Sequence, residues 1–365
     1  GIIGGGNIGT AHGKAIHRLL KQGIVDGELV ALAETDAGRR ESFAGAAGMA
    51  WATADPDELI GSADVNTIYV CTPTVSHRAL VEKVCGAGKA LFCEKPLAFN
   101  AADAAAMSSA AKAAGIVHQV GLVMRFSAVS ALTRALVADP AFGRAMTASM
   151  VDDQYFPIQG RYASTWRGDV TQVGAGTLLE HAIHDIDMLI WFFGPVRRVH
   201  GAIRNFAGKD GVEDLSAAML EFESGAIASH TSIWHNILHR GSSRRINVTG
   251  ENAQFSWDDD DWAGAIRMDA QRDGGRTEIP SEEVVRRFIG LMDIEDERVR
   301  EIMAGPPAGQ PYLLESYRFL QAVSEQRPAS PDFEVAVYAH RIVDAIYQSA
   351  REGRPVDIAG ESAHA

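Results

Sequence analysis

The sequence has 365 residues, a length that suits two domains better than one hydrophobic core. Hydrophobic residues make up 46% of the chain and charged residues 22%, which is an ordinary globular composition. The net charge of −13 repels phosphate backbones and anionic lipid surfaces, so we expect neither nucleic acid nor membrane partners.

Cysteine usage and the start of the chain bear on where the protein works. The spacing of Cys71, Cys85 and Cys93 is not typical of a disulfide framework or a zinc site, which predicts buried thiols in a reducing compartment. We therefore expect a cytoplasmic protein. Because the chain begins at Gly1, inside a predicted strand, we also expect its native N-terminus, with any export signal, to lie further upstream.

The N-terminal part of the chain alternates between short apolar runs and amphipathic stretches. Strands are predicted at 1–3, 29–33, 65–71, 91–93 and 116–120. Helices are predicted at 8–20, 36–47, 76–87 and 101–114. Repeated strand–helix units of this length are typical of a doubly wound parallel sheet in an α/β fold, with helices on both faces. We assign residues 1–122 to such a domain, of the Rossmann type.

The first predicted strand is followed by the sequence GGGNIG, which fits the glycine pattern of a dinucleotide-binding turn. Gly4 permits a tight turn, Gly6 lets the backbone approach a pyrophosphate, and Gly9 lets the next helix pack close to the strand. Asn7 and Ile8 occupy the start of that helix, where a pyrophosphate binds. We predict that these five residues contact a dinucleotide.

Glu34 stands at the end of the second predicted strand. A carboxylate at this position accepts hydrogen bonds from the ribose hydroxyls of NAD and repels the 2′-phosphate of NADP. Glu34 therefore favours NAD as the cofactor, with NADP as the alternative.

The loop after the strand at 65–71 is also expected to face the cofactor. Ligands of an open α/β sheet bind beyond the carboxyl ends of its strands, and Thr72 and Pro73 occupy such a position. His77 lies one turn into the following helix. It either contacts the site or caps its own helix.

The Glu94-Lys95-Pro96 loop follows the next strand, at the same edge of the sheet. A lysine at a strand end, against apolar neighbours and near an oxidised nicotinamide, has a lowered pKa, which suits proton exchange with a hydroxyl or carbonyl group. We expect Glu94 and Lys95 to contact the cofactor as well. The simpler interpretation is a surface lysine before a turn proline.

Beyond about residue 143 the pattern changes to longer strands separated by short turns. Strands are predicted at 145–156, 196–206, 215–222, 226–234, 244–249 and 253–257. A helix predicted at 177–193 interrupts them. The pattern indicates an α+β domain with a large, mostly antiparallel sheet, which we assign to residues 123–365. The last helix of the chain either belongs to this domain or packs back on the first.

Three polar residues share one face of the helix predicted at 177–193. Glu180, His184 and Asp187 are spaced i, i+4 and i+7, between apolar faces, which suggests a helix that lines a site. A Glu–His pair at this spacing is also half of a metal site or a simple helix-stabilising pair. Because no third ligand has a recognisable spacing, we expect no metal.

The segments GGGNIG, TPTVSH and AGKALFCEKPLA, in this order and spacing, resemble the Gfo/Idh/MocA oxidoreductases, and the resemblance runs along nearly the whole chain. It implies a Rossmann domain and an open-faced sheet domain that drives oligomerisation, to a homodimer or homotetramer. It also implies that Lys95 is catalytic and that the bond before Pro96 is cis.

The segment GAGTLLEHAIHDID resembles the family's GGGxLxDxGxHxxD, which places the family's Asp and His at Glu180 and His184. The resemblance implies that His184 binds the reacting hydroxyl and exchanges its proton, that Lys95 shares or relays that role, and that Glu180 orients the substrate or a catalytic side chain. The chain departs from the pattern twice. Glu180 is one methylene longer than Asp, and His181 replaces a small or apolar residue. We therefore expect a reshaped pocket or a different proton path, with His181 among the substrate contacts.

Three further residues are predicted to bind substrate. Arg125, in a segment that resembles the family's RRF, either contacts substrate or anchors the domain junction. Arg167, in a segment that resembles the family's WR, either shapes the pocket or pairs with an internal carboxylate. Tyr155 either donates to a substrate hydroxyl or packs the sheet.

These features predict an enzyme, an NAD(P)-dependent dehydrogenase that transfers a hydride between nicotinamide and a CH–OH carbon of a sugar or an inositol-like cyclic polyol. One alternative is an NADP-linked reductase of a sugar ketone or aldehyde. A second is an NAD-dependent glycosidase, an activity that some proteins of the resembling family have. A third is a cofactor-binding regulator without catalysis.

Overall fold

A computed structural model describes residues 1–160, 162–239, 241–258, 262–270, 275–305 and 310–358, and only the backbone of 44, 46 and 47. The described strands are β1 (Ile2–Ile3), β2 (Ala31–Ala33), β3 (Trp51–Thr53), β4 (Thr67–Val70), β5 (Ala90–Glu94), β6 (His118–Gly121), β7 (Ala145–Tyr155), β8 (Val196–Arg204), β9 (Leu215–Phe222), β10 (Ile227–His235), β11 (Ser243–Gly250), β12 (Ala253–Asp258), β13 (Ile266–Ala270), β14 (Gly275–Ile279) and β15 (Val356–Asp357).

The described α-helices are α1 (Asn7–Lys21), α2 (Ala37–Ala47), α3 (Pro56–Gly61), α4 (His77–Gly86), α5 (Ala101–Ala114), α6 (Ala128–Ala138), α7 (Val170–Val173), α8 (Thr177–Glu180), α9 (Ile183–Phe193), α10 (Ser281–Leu291), α11 (Glu297–Ala304), α12 (Pro311–Ser324) and α13 (Phe333–Glu352). The chain forms two compact units. The first comprises Gly1–Val123 and Tyr312–Val337, and the second comprises Met124–Pro311 and Tyr338–Ala365.

The first unit contains a six-stranded sheet in the order β3-β2-β1-β4-β5-β6. Every neighbouring pair is parallel. This confirms the predicted doubly wound Rossmann sheet. Strand β3 and helix α3 were not predicted; β3 has only three residues, which lie partly exposed at the edge of the sheet. Since the strands are parallel, the glycine turn, Glu34, Thr72 and the Glu-Lys-Pro loop all follow carboxyl ends at one edge.

Both faces of this sheet are buried. Ile2 and Tyr69 belong to one apolar cluster, and their chain neighbours Ile3 and Val70 belong to another. Because successive side chains of a strand point to opposite faces, these clusters form two layers of core. Phe319 from α12 completes the first of them, which explains why a segment from near the C-terminus belongs to this unit.

The second unit contains a nine-stranded sheet in the order β14-β13-β12-β11-β7-β10-β9-β8-β15. The β7–β10 pair is parallel and the other pairs are antiparallel, which confirms the predicted α+β domain with a mostly antiparallel sheet. Burial alternates along β9 and β10, so one face of the sheet is covered. Helices α8 and α9 contact that sheet through β7, β9 and β10.

The prediction of one continuous helix at 177–193 was wrong. The helix is interrupted between α8 and α9, at His181 and Ala182. His181 has φ −114° and ψ −56°, outside ordinary helical geometry. Its side chain lies beside Asp152 and Arg244 of the sheet, and these contacts accompany the break.

Candidate functional site

The glycine turn of the first unit combines close packing with open space. Gly4 has φ +99°, and a Cβ added there would lie 2.6 Å from the Cys71 carbonyl oxygen. A Cβ added to Gly9 would lie 2.0 Å from the Gly4 oxygen, whereas one added to Gly6 would meet nothing within 4 Å. Gly4 and Gly9 are thus required for packing, and the backbone at Gly6 is open to a ligand.

The other residues predicted at this edge differ in exposure. Asn7 is exposed at the first position of α1, while Ile8 packs against the apolar core. Thr72 and Pro73 are partly exposed beyond β4, and Thr72 Oγ1 accepts a hydrogen bond from Ser76 Oγ at 2.7 Å. Asn7, Thr72 and Pro73 are therefore accessible to a ligand, and Ile8 mainly supports the helix.

Glu34 is fixed at the end of β2. Its Oε2 accepts a hydrogen bond from the Gly5 N–H at 2.7 Å, and its Oε1 accepts from the Asp36 N–H at 2.8 Å and from Arg39 Nη2 at 3.1 Å. Burial raises the pKa of Glu34, but these donors outweigh it and lower the pKa overall. An ionised carboxylate beside open backbone at Gly6 fits the ribose and pyrophosphate of a dinucleotide.

His77 joins two loops. It is buried, with Nε2 2.9 Å from the Thr72 oxygen and Nδ1 3.0 Å from the Pro96 oxygen. Burial lowers the pKa of His77, although the carbonyl groups oppose this shift. His77 was predicted to contact the site or to cap its helix. In the structure its side chain links the Thr-Pro loop to the Glu-Lys-Pro loop.

The Glu-Lys-Pro loop is anchored through Glu94. Its Oε2 accepts from the Lys95 main-chain N–H at 3.1 Å, and its Oε1 lies 2.8 Å from His12 Nε2. A Cβ at Gly121 would lie 2.9 Å from the Glu94 carboxyl group, so that glycine makes room for it. The Lys95–Pro96 bond is cis, which confirms that expectation. Sequence reasoning missed His12; the signal for it was a histidine on the buried face of α1.

In the second unit, the predicted substrate residues lie around α8 and α9. Glu180 is buried, and its Oε1 accepts from Arg167 Nε at 2.8 Å. This is the internal carboxylate expected as one possible partner of Arg167. His184 is 6% exposed, in the first turn of α9. Tyr155 ends β7, is buried, and has its ring 5.6 Å from that of Tyr162.

Arg125 forms a buried two-point ion pair. Its Nε and Nη2 donate to the two carboxylate oxygens of Asp187, each at 2.8 Å. The guanidinium also lies 5.4 Å from the centre of the Trp191 ring. Arg125 and Asp187 therefore hold the segment before α6 against α9.

His181 belongs to a network of mostly buried, ionisable side chains. Its Nδ1 lies 3.0 Å from Asp152 Oδ2, and its Nε2 lies 3.1 Å from Arg244 Nη2. Arg244 Nε donates to Asp185 Oδ1 at 2.7 Å, and His230 Nε2 lies 3.2 Å from Asp185 Oδ2. Burial opposes ionisation of Asp152, but Arg244 and His181 lower its pKa. Both ring nitrogens of His181 thus face protein groups.

Glu213 fixes the start of α8, and sequence reasoning missed it. Its carboxylate accepts from the N–H groups of Gly176 and Leu178, at 2.7 and 3.0 Å, and from the Tyr347 hydroxyl at 2.8 Å. A Cβ at Gly176 would lie 1.9 Å from the Glu213 main-chain oxygen. This carboxylate positions the helical segment that carries Glu180.

Among the residues that the structure describes, no cluster of three or more His, Cys, Asp or Glu side chains has the geometry of a metal site. None of the described helices combines the length and apolar character needed to cross a membrane.

Two family models match separate parts of the chain. "Oxidoreductase family, NAD-binding Rossmann fold" matches residues 1–122, and "Oxidoreductase family, C-terminal alpha/beta domain" matches residues 147–358. The chain belongs to the Gfo/Idh/MocA oxidoreductase family. It is therefore an oxidoreductase with an NAD-binding Rossmann domain, and the glycine turn and Glu34 fit that cofactor.

Two relatives have names that give a sugar or a polyol as the substrate. The chain is 29% identical over 366 residues to inositol 2-dehydrogenase of Rhizobium meliloti (strain 1021), covering 98% of both chains. It is 34% identical over 206 residues to 1,5-anhydro-D-fructose reductase of Ensifer adhaerens, covering 55% of this chain and 60% of that protein.

The family fold is also shared with a levoglucosan dehydrogenase solved in complex with NADH and levoglucosan. The TM-score is 0.83 at 23% identity, and the alignment covers 98% of both chains. At this identity the likeness establishes the fold alone.

Proposed function

We propose that this protein is an NAD-dependent dehydrogenase that oxidises a CH–OH group of a sugar or cyclic polyol. The observation that carries the proposal is the open backbone at Gly6 beside the ionised Glu34 carboxylate, which accepts a hydrogen bond from the Gly5 N–H. The names of the relatives support the substrate class, since they include an inositol dehydrogenase and an anhydrosugar reductase.

An NADP-linked reductase is the second candidate, because Arg39 lies beside Glu34. The Arg39 side chain is 56% exposed and is paired with Glu34 Oε1. A guanidinium at this position is suited to a 2′-phosphate if Glu34 turns away. The lowered pKa of Glu34 keeps its charge at neutral pH, which favours NAD.

Each unit supplies residues with separate tasks. Bound NAD supplies the hydride acceptor at its nicotinamide ring. In the first unit, the partly buried Lys95 takes or returns the hydroxyl proton at Nζ, with its main chain fixed by Glu94. In the second unit, His184 binds the reacting hydroxyl, and Glu180, held by Arg167, orients the substrate or a catalytic side chain.

The oligomeric state and the compartment remain predictions. A homodimer or homotetramer is supported by the large apolar side chains that the second unit's sheet exposes, which are Met146, Met219 and Ile227. A cytoplasmic location is consistent with the free, buried cysteines.

The test compares wild type with Lys95→Ala on a panel of inositols, aldoses and anhydrosugars, with NAD and NADP in parallel. We expect NAD-linked activity, and kcat in the variant lower by about 10²–10⁴-fold because a proton-transfer group is lost. NADH binding, measured by fluorescence titration, should persist and shows that the variant is folded.

Lys83→Ala is the matched control, since Lys83 is half exposed in the same unit and pairs with Asp57. Unchanged activity in Lys95→Ala would contradict the assignment of Lys95. Cleavage of glycosides without net NADH formation would instead support the glycosidase.

A further inference from the structure

Helix α12 places the carboxyl group of Glu315 in the core of the first unit. Glu315 is 0% exposed, and neither of its carboxyl oxygens has a hydrogen-bond partner within the described part of the chain. Transfer of an ionised carboxylate into such surroundings is strongly unfavourable, and the group avoids it by binding a proton.

The surroundings of Glu315 favour a proton further. The titratable groups nearby are His12 from α1, Tyr69 and Cys71 from the end of β4, and Glu94 from β5. Burial, followed by the neighbouring Glu94 carboxylate, raises the pKa of Glu315 well above its ordinary value. Two carboxylates this close do not both ionise readily.

Glu94, unlike Glu315, has donors for both oxygens. His12 Nε2 lies 2.8 Å from Oε1, and the Lys95 main-chain N–H donates to Oε2 at 3.1 Å. His12 Nδ1 in turn lies 3.2 Å from the hydroxyl of Ser316, the residue after Glu315. The two carboxyl groups of this cluster therefore differ, because donors face both oxygens of Glu94 and no described residue donates to Glu315.

We propose that Glu315 carries a proton beneath the Glu-Lys-Pro loop, which leaves Glu94 as the single ionised carboxylate that, with His12, fixes the main chain of Lys95. Glu94 and His12 are then positioning residues for Lys95, and this part rests on the proposed function. A second charge at Glu315 would hold the Lys95 proton more tightly and make the neutral amine less available.

Infrared spectroscopy tests the protonation of Glu315 directly and independently of substrate. In the whole protein at neutral pH, we expect a carbonyl stretching band of a protonated carboxylic acid that loses intensity in Glu315→Gln. The pKa of Glu213 is also raised by burial, so Glu213→Gln assigns the contribution of that group. The exposed Glu282→Gln is the control. An unchanged band in Glu315→Gln would overturn the proposal.

The pH profile of kcat/KM tests which carboxyl group is charged. Gln is neutral like a protonated Glu, so Glu315→Gln should keep the wild-type profile, with thermal melting used to verify folding. Glu94→Gln removes a negative charge near Lys95, so the acidic limb of its profile should move to lower pH, with kcat reduced by about tenfold or more. A shift in Glu315→Gln would show that Glu315 is ionised and overturn the proposal.

The two proposals fail separately. If no sugar or polyol is oxidised, the proposed function fails and the infrared result still decides the state of Glu315. If the band is absent, this inference fails and the result for Lys95→Ala stands.

Discussion

The two units hold their predicted site residues in place in different ways. In the first unit, charged side chains fix main-chain groups: Glu34 binds the Gly5 N–H, and Glu94 binds the Lys95 N–H. In the second unit, ion pairs between side chains predominate, as between Arg125 and Asp187, and Glu213 is the exception that binds the N–H groups of Gly176 and Leu178.

This difference determines how each region responds to change. A site built on main-chain groups depends on the turn geometry of the loops and requires glycine where the backbone packs tightly. A site built on buried ion pairs depends on keeping both partners, because the removal of one leaves a charge that water does not reach.

Asp187→Ala should have the largest effect on stability. The substitution leaves the Arg125 guanidinium without its counter-charge. The pair is buried, since the Arg125 side chain is 10% exposed and that of Asp187 is 2% exposed. We expect the free energy of unfolding to fall by about 3–5 kcal/mol. Urea denaturation followed by tryptophan fluorescence measures this change.

The control for that variant is an exposed pair with similar geometry. Arg144 donates two bonds to Glu251 and has a side chain that is 85% exposed. Glu251→Ala should change stability little, because water screens the charges. If Asp187→Ala were as mild as the control, Arg125 would not depend on Asp187, and the alternative of a substrate contact would gain support.

Gly9→Ala and Gly6→Ala test the first unit as a matched pair. The Cβ at Gly9 would meet the Gly4 oxygen at 2.0 Å, so the free energy of unfolding should fall by about 1–3 kcal/mol or more. The Cβ at Gly6 meets nothing within 4 Å, so stability should hold while NADH affinity falls about tenfold. Thermal melting and fluorescence titration measure the two effects. Wild-type NADH affinity in Gly6→Ala would show that the cofactor does not approach there.

The same difference explains which features the sequence could predict. In the first unit, the hydrogen bonds that hold the predicted site residues often join residues close in sequence. Glu94 accepts from the N–H of the next residue, and Glu34 accepts from the N–H of Asp36, two residues further along the chain. Hydrophobic periodicity and the glycine turn were therefore sufficient to predict the parallel sheet. Strand β3 was not predicted, because it is short and lies, partly exposed, at the edge of the sheet.

The partners of the remaining site residues are distant in sequence, and no local pattern marks them. His12 lies 82 residues from Glu94, Asp187 lies 62 residues from Arg125, and Arg244 lies 59 residues from Asp185. The break between α8 and α9 was missed for the same reason, because His181 contacts residues of distant strands. Such contacts depend on the three-dimensional packing of the unit.

The smallest predicted effect is the pH dependence that His77 gives to stability. Its pKa is lowered by burial in the folded protein, so the unfolded chain binds more protons as pH falls below the ordinary histidine pKa of about 6.5. The stabilisation by neutral His77 is thus complete above that pH and declines as pH falls through the folded pKa. His77→Gln should flatten this part of the stability curve and lower stability at neutral pH by about 1 kcal/mol, through loss of a loop hydrogen bond.

Urea denaturation between pH 5 and 8 measures the slope, a range chosen to bracket the histidine titration at roughly 6.5. His17→Gln is the control, because His17 is exposed and its replacement shows how much the slope changes when any histidine is lost. The first unit would then contain a buried imidazole whose protonation in acid is opposed by burial, although both of its ring nitrogens face main-chain carbonyl oxygens. An unchanged slope in His77→Gln would mean that His77 titrates alike in the folded and unfolded states.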